Sequence, residues 1–160
     1  MKMATSSPLC QLNGGCMGCC GHDFISKQKI KAAIDENTKE FTQLQPDTEE
    51  KFITFRDRRH PMDLRDGVCR NLIEEKGRFL CSLHPARHQG KDLRIGHCDT
   101  NYLCKTAREF DTWNADQRQT FLNFVNVQQL DNITYSIKMD DNSLLAEFLK
   151  SGKISSISKC

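Results

Sequence analysis

Residues 10–22 read CQLNGGCMGCCGH, four cysteines and four glycines in one short stretch. Such a stretch supports neither a regular helix nor a strand. Its glycines permit the positive-φ turns that let several thiols converge. Cys16 and Cys19 are separated by two residues, a spacing from which both thiolates reach one ion out of a tight turn, with backbone N–H groups aimed at sulfur. Cys20 follows Cys19 directly. Two adjacent side chains do not readily point at the same ion, so the dyad favours two metals, or one bridging thiolate, over a lone zinc.

The chain has nine cysteines. With Cys160 set aside in the tail, eight remain, and in sequence they fall into Cys10, Cys16, Cys19, Cys20 and, much later, Cys69, Cys81, Cys98, Cys104. Shared ligation would close loops of about 50 residues, coupling metal binding to folding. The inventory admits two four-cysteine zinc sites, one 4Fe–4S cluster with four spare thiols, or a bridged multi-metal centre. The all-sulfur donor set and the dyad lean towards iron–sulfur over zinc. Two divalent ions on eight thiolates would take the formal charge from +2 to about −2. Arg70, Arg78, Arg87 and His84 are the expected offsetting donors. The competing readings are buried small hydrophobes and disulfides. Against disulfides stand the odd count, the strain of joining Cys19 to Cys20 and an N-terminus, MKMATSSPLC, that reads as no secretory signal. The expected compartment is therefore cytoplasmic, where thiols stay reduced.

A chain of 160 residues suits one domain. Twenty-three basic against 21 acidic residues give no bulk charge to draw nucleic acid or an anionic membrane. No apolar run approaches the roughly 18–20 residues that span a bilayer. The expected partner is an unspecified protein at most, with neither nucleic acid nor membrane favoured.

The patterning divides the chain into a disordered stretch over 1–9, one domain over 10–150 and a flexible tail over 151–160. Ser26 can cap a helix with Ile30, Ile34 and Phe41 at helical spacing, running to about Thr42. Gln45-Pro46-Asp47 breaks it, and Thr48-Glu49-Glu50 opens another with Phe52, Ile53 and Phe55 inward. Val68–Ile73 and Arg78–His84 read as a hairpin with Gly77 in the turn, carrying Cys69 and Cys81 one on each strand. Residues 85–101 read as a loop. Asn114 can cap a helix with Phe121, Leu122, Phe124 and Val125 inward. Ile133, Tyr135, Ile137 and Met139 alternate as in a half-buried strand. Asn142 or Ser143 can cap a last helix over Leu144, Leu145, Phe148 and Leu149, ended by Gly152. The fold class is α+β: a small single domain with a cysteine-rich, metal-nucleated N-terminal half and a helical C-terminal half.

Other residues compete for chemistry. His22 and His97 could replace a thiolate, although a histidine there more often supports a ligand by a hydrogen bond or lies exposed. Cys81 with His84 could form a nucleophile pair, but no Asp or Asn is placed to orient the imidazole. Arg56, Arg58, Arg59, His60 and Arg65 form one basic stretch, and Arg87, His88, Lys91 and Arg94 another. No aromatic residues interleave with them as single-strand stacking requires.

Cys16-Met-Gly-Cys19-Cys20-Gly21, then Cys69-Arg-Asn-Leu72, then Cys81-Ser-Leu-His84-Pro-Ala-Arg87 and the later Cys98 resemble the YkgJ-like family of zinc- or iron-chelating proteins, named for its CxxCxxCC motif. The likeness covers roughly residues 10–104. It departs at Cys10, which lies six rather than three residues before Cys16, and in the long gap from Arg87 to Cys98. The resemblance implies a metal site without an assigned activity, and some relatives resemble flagellin lysine N-methylases, whose chemistry is tied to an iron–sulfur centre. The expectation is a cysteine-cluster protein that binds an iron–sulfur cluster or zinc through Cys10, Cys16, Cys19, Cys20, Cys69, Cys81, Cys98 and Cys104. Two alternatives stay open. One is an iron–sulfur redox or methyl-transfer-related enzyme, and the other is a zinc-stapled module for protein or nucleic-acid interaction.

Overall fold

The computed structural model describes residues 7–154. Residues 1–6 of the expected disordered stretch and 155–160 of the expected tail, Cys160 included, lie outside the described residues. The described chain holds six α-helices and one two-stranded sheet, in keeping with α+β: α1 Lys27–Leu44, α2 Glu49–Asp57, β1 Leu72–Glu75, β2 Arg78–Cys81, α3 Lys105–Thr112, α4 Ala115–Val127, α5 Asn132–Asp140 and α6 Ser143–Lys150. No helix among them is long and apolar enough to cross a membrane.

The N-terminal layer is α1 packed on the hairpin. Ser26 is extended and its Oγ accepts from Lys29 N at 3.1 Å, capping α1 as expected. Gln45, in the left-handed region, ends that helix. Thr48 caps α2 in the same way, but only Phe55 of that helix is buried, while Phe52 and Ile53 are half-buried. The strands are antiparallel, with Leu72 opposite Cys81 and Glu75 opposite Arg78. Lys76 and Gly77 both take positive φ in the two-residue turn, which suits a hairpin's twist. The hairpin is therefore shorter at its open end than expected. Cys81 closes β2, whereas Cys69 precedes β1 in a turn in which Leu72 N donates to Cys69 O.

The C-terminal layer is helical throughout, and here one expectation is corrected. Residues 132–140 form α5, not a strand. Asp131 caps it, accepting from Thr134 N at 2.9 Å. The alternation misleads because α5 is a wall between two cores. Tyr135 and Met139 pack with Leu9, Phe110, Trp113, Phe121, Val125, Leu144, Leu145 and Phe148. Ile133 and Ile137 face Met17, Ile30, Ala33, Ile34, Val68, Leu72 and Phe79. Two pairs at i, i+4, offset by two residues, reproduce the period of a strand. In the first core Phe121 meets Phe148 edge-on with ring centroids 4.9 Å apart, and Trp113 meets Phe121 at 5.4 Å. Rings this deeply buried contribute about 1.5–3 kcal/mol each.

The expectations at the two ends of the domain are also adjusted. Leu9 is fully buried and Ser7 caps a run of 3₁₀ turns over Pro8–Gly14, so the residues just before Cys10 are packed into the domain. The run is interrupted at Leu12 and Asn13. Asn114 caps α4 with a reciprocal capping box through Gln117. Asn142 precedes α6 in the left-handed region without a side-chain cap.

Candidate metal centre

The glycine-rich loop is sutured to the hairpin side. Cys69 N donates to Cys20 O at 2.8 Å and His22 N to Gly67 O at 2.9 Å. Gly21 and Val68 form an isolated antiparallel bridge. Two glycines make the contact possible: a Cβ on Gly15 would stand 2.3 Å from Phe79 O, and one on Gly21 would stand 2.0 Å from Gly67 O, both at positive φ. On its other side the loop meets α5, where Met17 N donates to the buried Ser136 Oγ at 2.9 Å.

All eight described cysteines are free thiols, Cys19 and Cys98 exposed and the others half-buried. Burial is the largest cause pushing up the thiols of Cys10, Cys16, Cys69, Cys81, Cys98 and Cys104, and Cys16 and Cys81 reach about 12. Cys20 donates to Cys19, which brings Cys19 down to about 7 and drives Cys20 well up. Charge on other thiols adds a smaller upward push. Cys10, Cys16 and Cys104 feel charge on Cys19 or on one another. Cys20, Cys69, Cys81 and Cys98 form a second linked set. Cys19 touches both sets electrostatically. Packing agrees for three of them: Cys16 and Cys104 lie against the first core and Cys20 against the second. The sets thus follow space rather than sequence order. Cys104 joins the early cysteines, Cys20 joins the late ones, and the Cys19–Cys20 dyad sits at the junction.

The backbone is prepared for anionic sulfur. Gly18 N donates to Cys16 Sγ and Ala107 N to Cys104 Sγ, each at 3.5 Å. The backbone N–H groups of Asn71 and Leu83 lower the thiols of Cys69 and Cys81. Three of these four donors lie two residues after their cysteine, the arrangement expected around a thiolate ligand. Among the described residues, the buried side-chain polar atoms left without a partner are Asn13 Nδ2, Ser82 Oγ and Thr106 Oγ1. All three can donate, and all three lie in cysteine segments: between Cys10 and Cys16, beside Cys81, and two after Cys104. Orphaned donors cost about 1–3 kcal/mol each, and thiolate or sulfide would accept from them. Donor type and backbone therefore suit a soft metal. As placed, no three Cys, His, Asp or Glu side chains among the described residues close on one point at metal-holding distance.

The cations facing the thiols differ from those expected. Arg70 is taken by Asp63, Arg87 by Glu75, and Arg78 donates to Gln11 O. His84 Nδ1 accepts from Ala86 N, capping a short 3₁₀ turn, and burial lowers its pKa. Arg94 instead lowers Cys19, Cys81 and Cys98, and Arg58 lowers Cys69. These two were hidden in the basic stretches. Both are themselves paired, Arg94 with Asp92 at 2.8 Å and Arg58 with Glu40 at 2.9 Å, as are other basic side chains there, such as Arg65 with Glu40 and Lys91 with Glu49. His97 Nε2 lies 2.9 Å from Asn71 Nδ2, and His22 pairs with exposed Asp23. With its thiol pushed up to about 12, Cys81 is poorly suited to act as a free nucleophile with His84.

Among the buried polar residues that the sequence alone did not point to is Asn37. The signal was present: Ile30, Ile34, Asn37 and Phe41 share one stripe of α1, so a polar side chain occupies a core position. Compared with protein-family models, curated proteins and solved structures, the chain matches none, and the family resemblance rests on the residues quoted for it.

Proposed function

We propose that this is a metal-binding cysteine-cluster protein of the CxxCxxCC type. In this reading Cys10, Cys16, Cys19 and Cys104 hold metal as one set, and Cys20, Cys69, Cys81 and Cys98 hold it as another. The observation that carries the reading is the gathering of thiols from distant segments into two neighbourhoods, Cys10, Cys16 and Cys104 in one and Cys20, Cys69, Cys81 and Cys98 in the other, with Cys19 between them; counting Cys19 with the first gives four and four. Four sulfurs complete a structural zinc site or anchor an iron–sulfur cluster. The division leaves no idle thiols, which disfavours a single 4Fe–4S cluster beside four spare ones. When bound, the metal supplies a cross-link between the two cores that α5 separates. This chain's own residues supply the thiolates, the N–H groups that stabilise them, and Arg94 and Arg58 as counter-charge.

Anaerobic purification followed by elemental analysis and a visible spectrum tests the reading. Zinc near two equivalents without colour, or iron with acid-labile sulfide and charge-transfer bands, supports it and names the metal. Metal-free protein with cysteines in disulfides refutes it.

A further inference from the structure

We propose that Asn37 is a positioning residue for the Cys69 arm of the centre, holding the Cys69–Leu72 turn by two of its carbonyls while Arg65, Glu40 and Arg58 brace the amide from behind. The proposal rests on the metal-binding reading and concerns how one ligand is kept in place.

Asn37 is fully buried on α1. Its Nδ2 donates to Cys69 O at 2.9 Å and to Leu72 O at 3.0 Å, using both amide hydrogens. Its Oδ1 accepts from Arg65 Nε at 3.3 Å. Two carbonyls on one side and a guanidinium on the other allow only this orientation of the amide. Arg65 is held in turn by Glu40, which also accepts from Arg58 Nε at 2.9 Å. Arg58 reaches over the same turn, donating to Arg70 O and to Asn71 Oδ1. Asn71 completes the frame, since its carbonyl accepts from Ser82 N at 3.0 Å and its own N–H faces the Cys69 sulfur. The carbonyls of all four residues of the turn are therefore tied, three of them by α1 or by Arg58. Glutamine is too long for this site, and aspartate has no hydrogen to offer two carbonyls. The design matches the supporting shell of a metal ligand, where a partner's loss weakens binding by about 10- to 100-fold.

A buried asparagine could instead merely tie a helix to a hairpin, and the test separates the two roles. Asn37→Asp is compared with Ile34→Val, which thins the same face of α1 but removes no hydrogen bond to the turn. Metal release from the as-purified protein to a chelating dye is timed. Alkylation of each cysteine in the folded, metal-stripped protein is followed by mass spectrometry. The expected result is at least about tenfold faster release for Asn37→Asp, with Cys69 alkylated several-fold faster and Cys16 and Cys104 unchanged, while Ile34→Val moves neither. Equal acceleration at all thiols, no change at Cys69, or the same pattern in Ile34→Val would overturn the proposal. If Asn37→Asp fails to fold, Arg65→Met, which frees the amide from its brace at a partly exposed position, decides by the same selective signature at smaller size. If the purified protein carries no metal, the metal-binding reading fails, and the Cys69 labelling contrast still decides whether Asn37 places that thiol.

Discussion

Cys69 and Cys20 are joined backbone to backbone, N–H to carbonyl, at 2.8 Å. This bond brings two cysteine segments together across 49 residues of chain, beside the Gly21–Val68 bridge. The approach depends on bare backbone at Gly21. Gly21→Ala should lower unfolding free energy by at least about 2 kcal/mol, since a Cβ would meet Gly67 O at a positive φ. Gly77→Ala, also at positive φ but with open space around it, should cost about 1 kcal/mol. Urea titration of both variants measures the difference, and equal losses would mean the suture is not what Gly21 provides.

Ser136 ties the loop to α5. Its hydroxyl accepts from Met17 N and donates to Asn132 O at 2.6 Å, with the residue fully buried. Ser136→Ala strands the Met17 N–H and should cost about 1–3 kcal/mol. A substitution without effect on the denaturation midpoint would contradict this contact.

The spatial division of thiols makes a prediction about counting. Cys16→Ser and Cys20→Ser should each lose about half of the bound metal and retain the rest. Loss of all metal in both variants, with the fold preserved, would point to a single undivided centre.

Asp131 gives the fold an acid-sensitive end. Partial burial pushes its carboxyl up, but hydrogen bonds from Thr134 and the Lys27 ammonium outweigh it and bring the group down from 3.8 to about 2. A depressed carboxylate stabilises the fold above its unfolded pKa, and that stability is lost as pH falls through the folded value. Between about pH 4 and pH 2, wild-type stability should therefore fall more steeply than that of Asp131→Asn, which keeps the capping oxygen. Parallel pH profiles would show that the carboxylate does not hold its partners.

Much of the molecule was legible in the sequence wherever one local rule decided the outcome. Ser26, Thr48 and Asn114 announced helix starts because an extended polar residue satisfies free N–H groups. The hairpin was legible from Gly77. The α5 segment was not, because a helix buried on two sides carries two apolar stripes whose overlap imitates alternation. α3 was hidden because its cap is Cys104, a thiol standing where serine or aspartate would be the usual signal. The eight thiols were visible as donors, but their division was not. Sequence order grouped Cys20 with Cys16, whereas the suture to Cys69 carries it to the other side. Arg94 and Arg58 are paired with Asp92 and Glu40 just as Arg70 and Arg87 are with Asp63 and Glu75, so only their placement beside the thiols tells them from their basic neighbours.

Native mass spectrometry of the anaerobically purified, full-length chain addresses the central claim most directly. The account predicts a native mass exceeding the denatured mass by the metal, or metal and sulfide, of two four-sulfur sets, with all nine thiols reduced once denatured. Equal native and denatured masses, or a denatured mass lowered by disulfide formation, would contradict it.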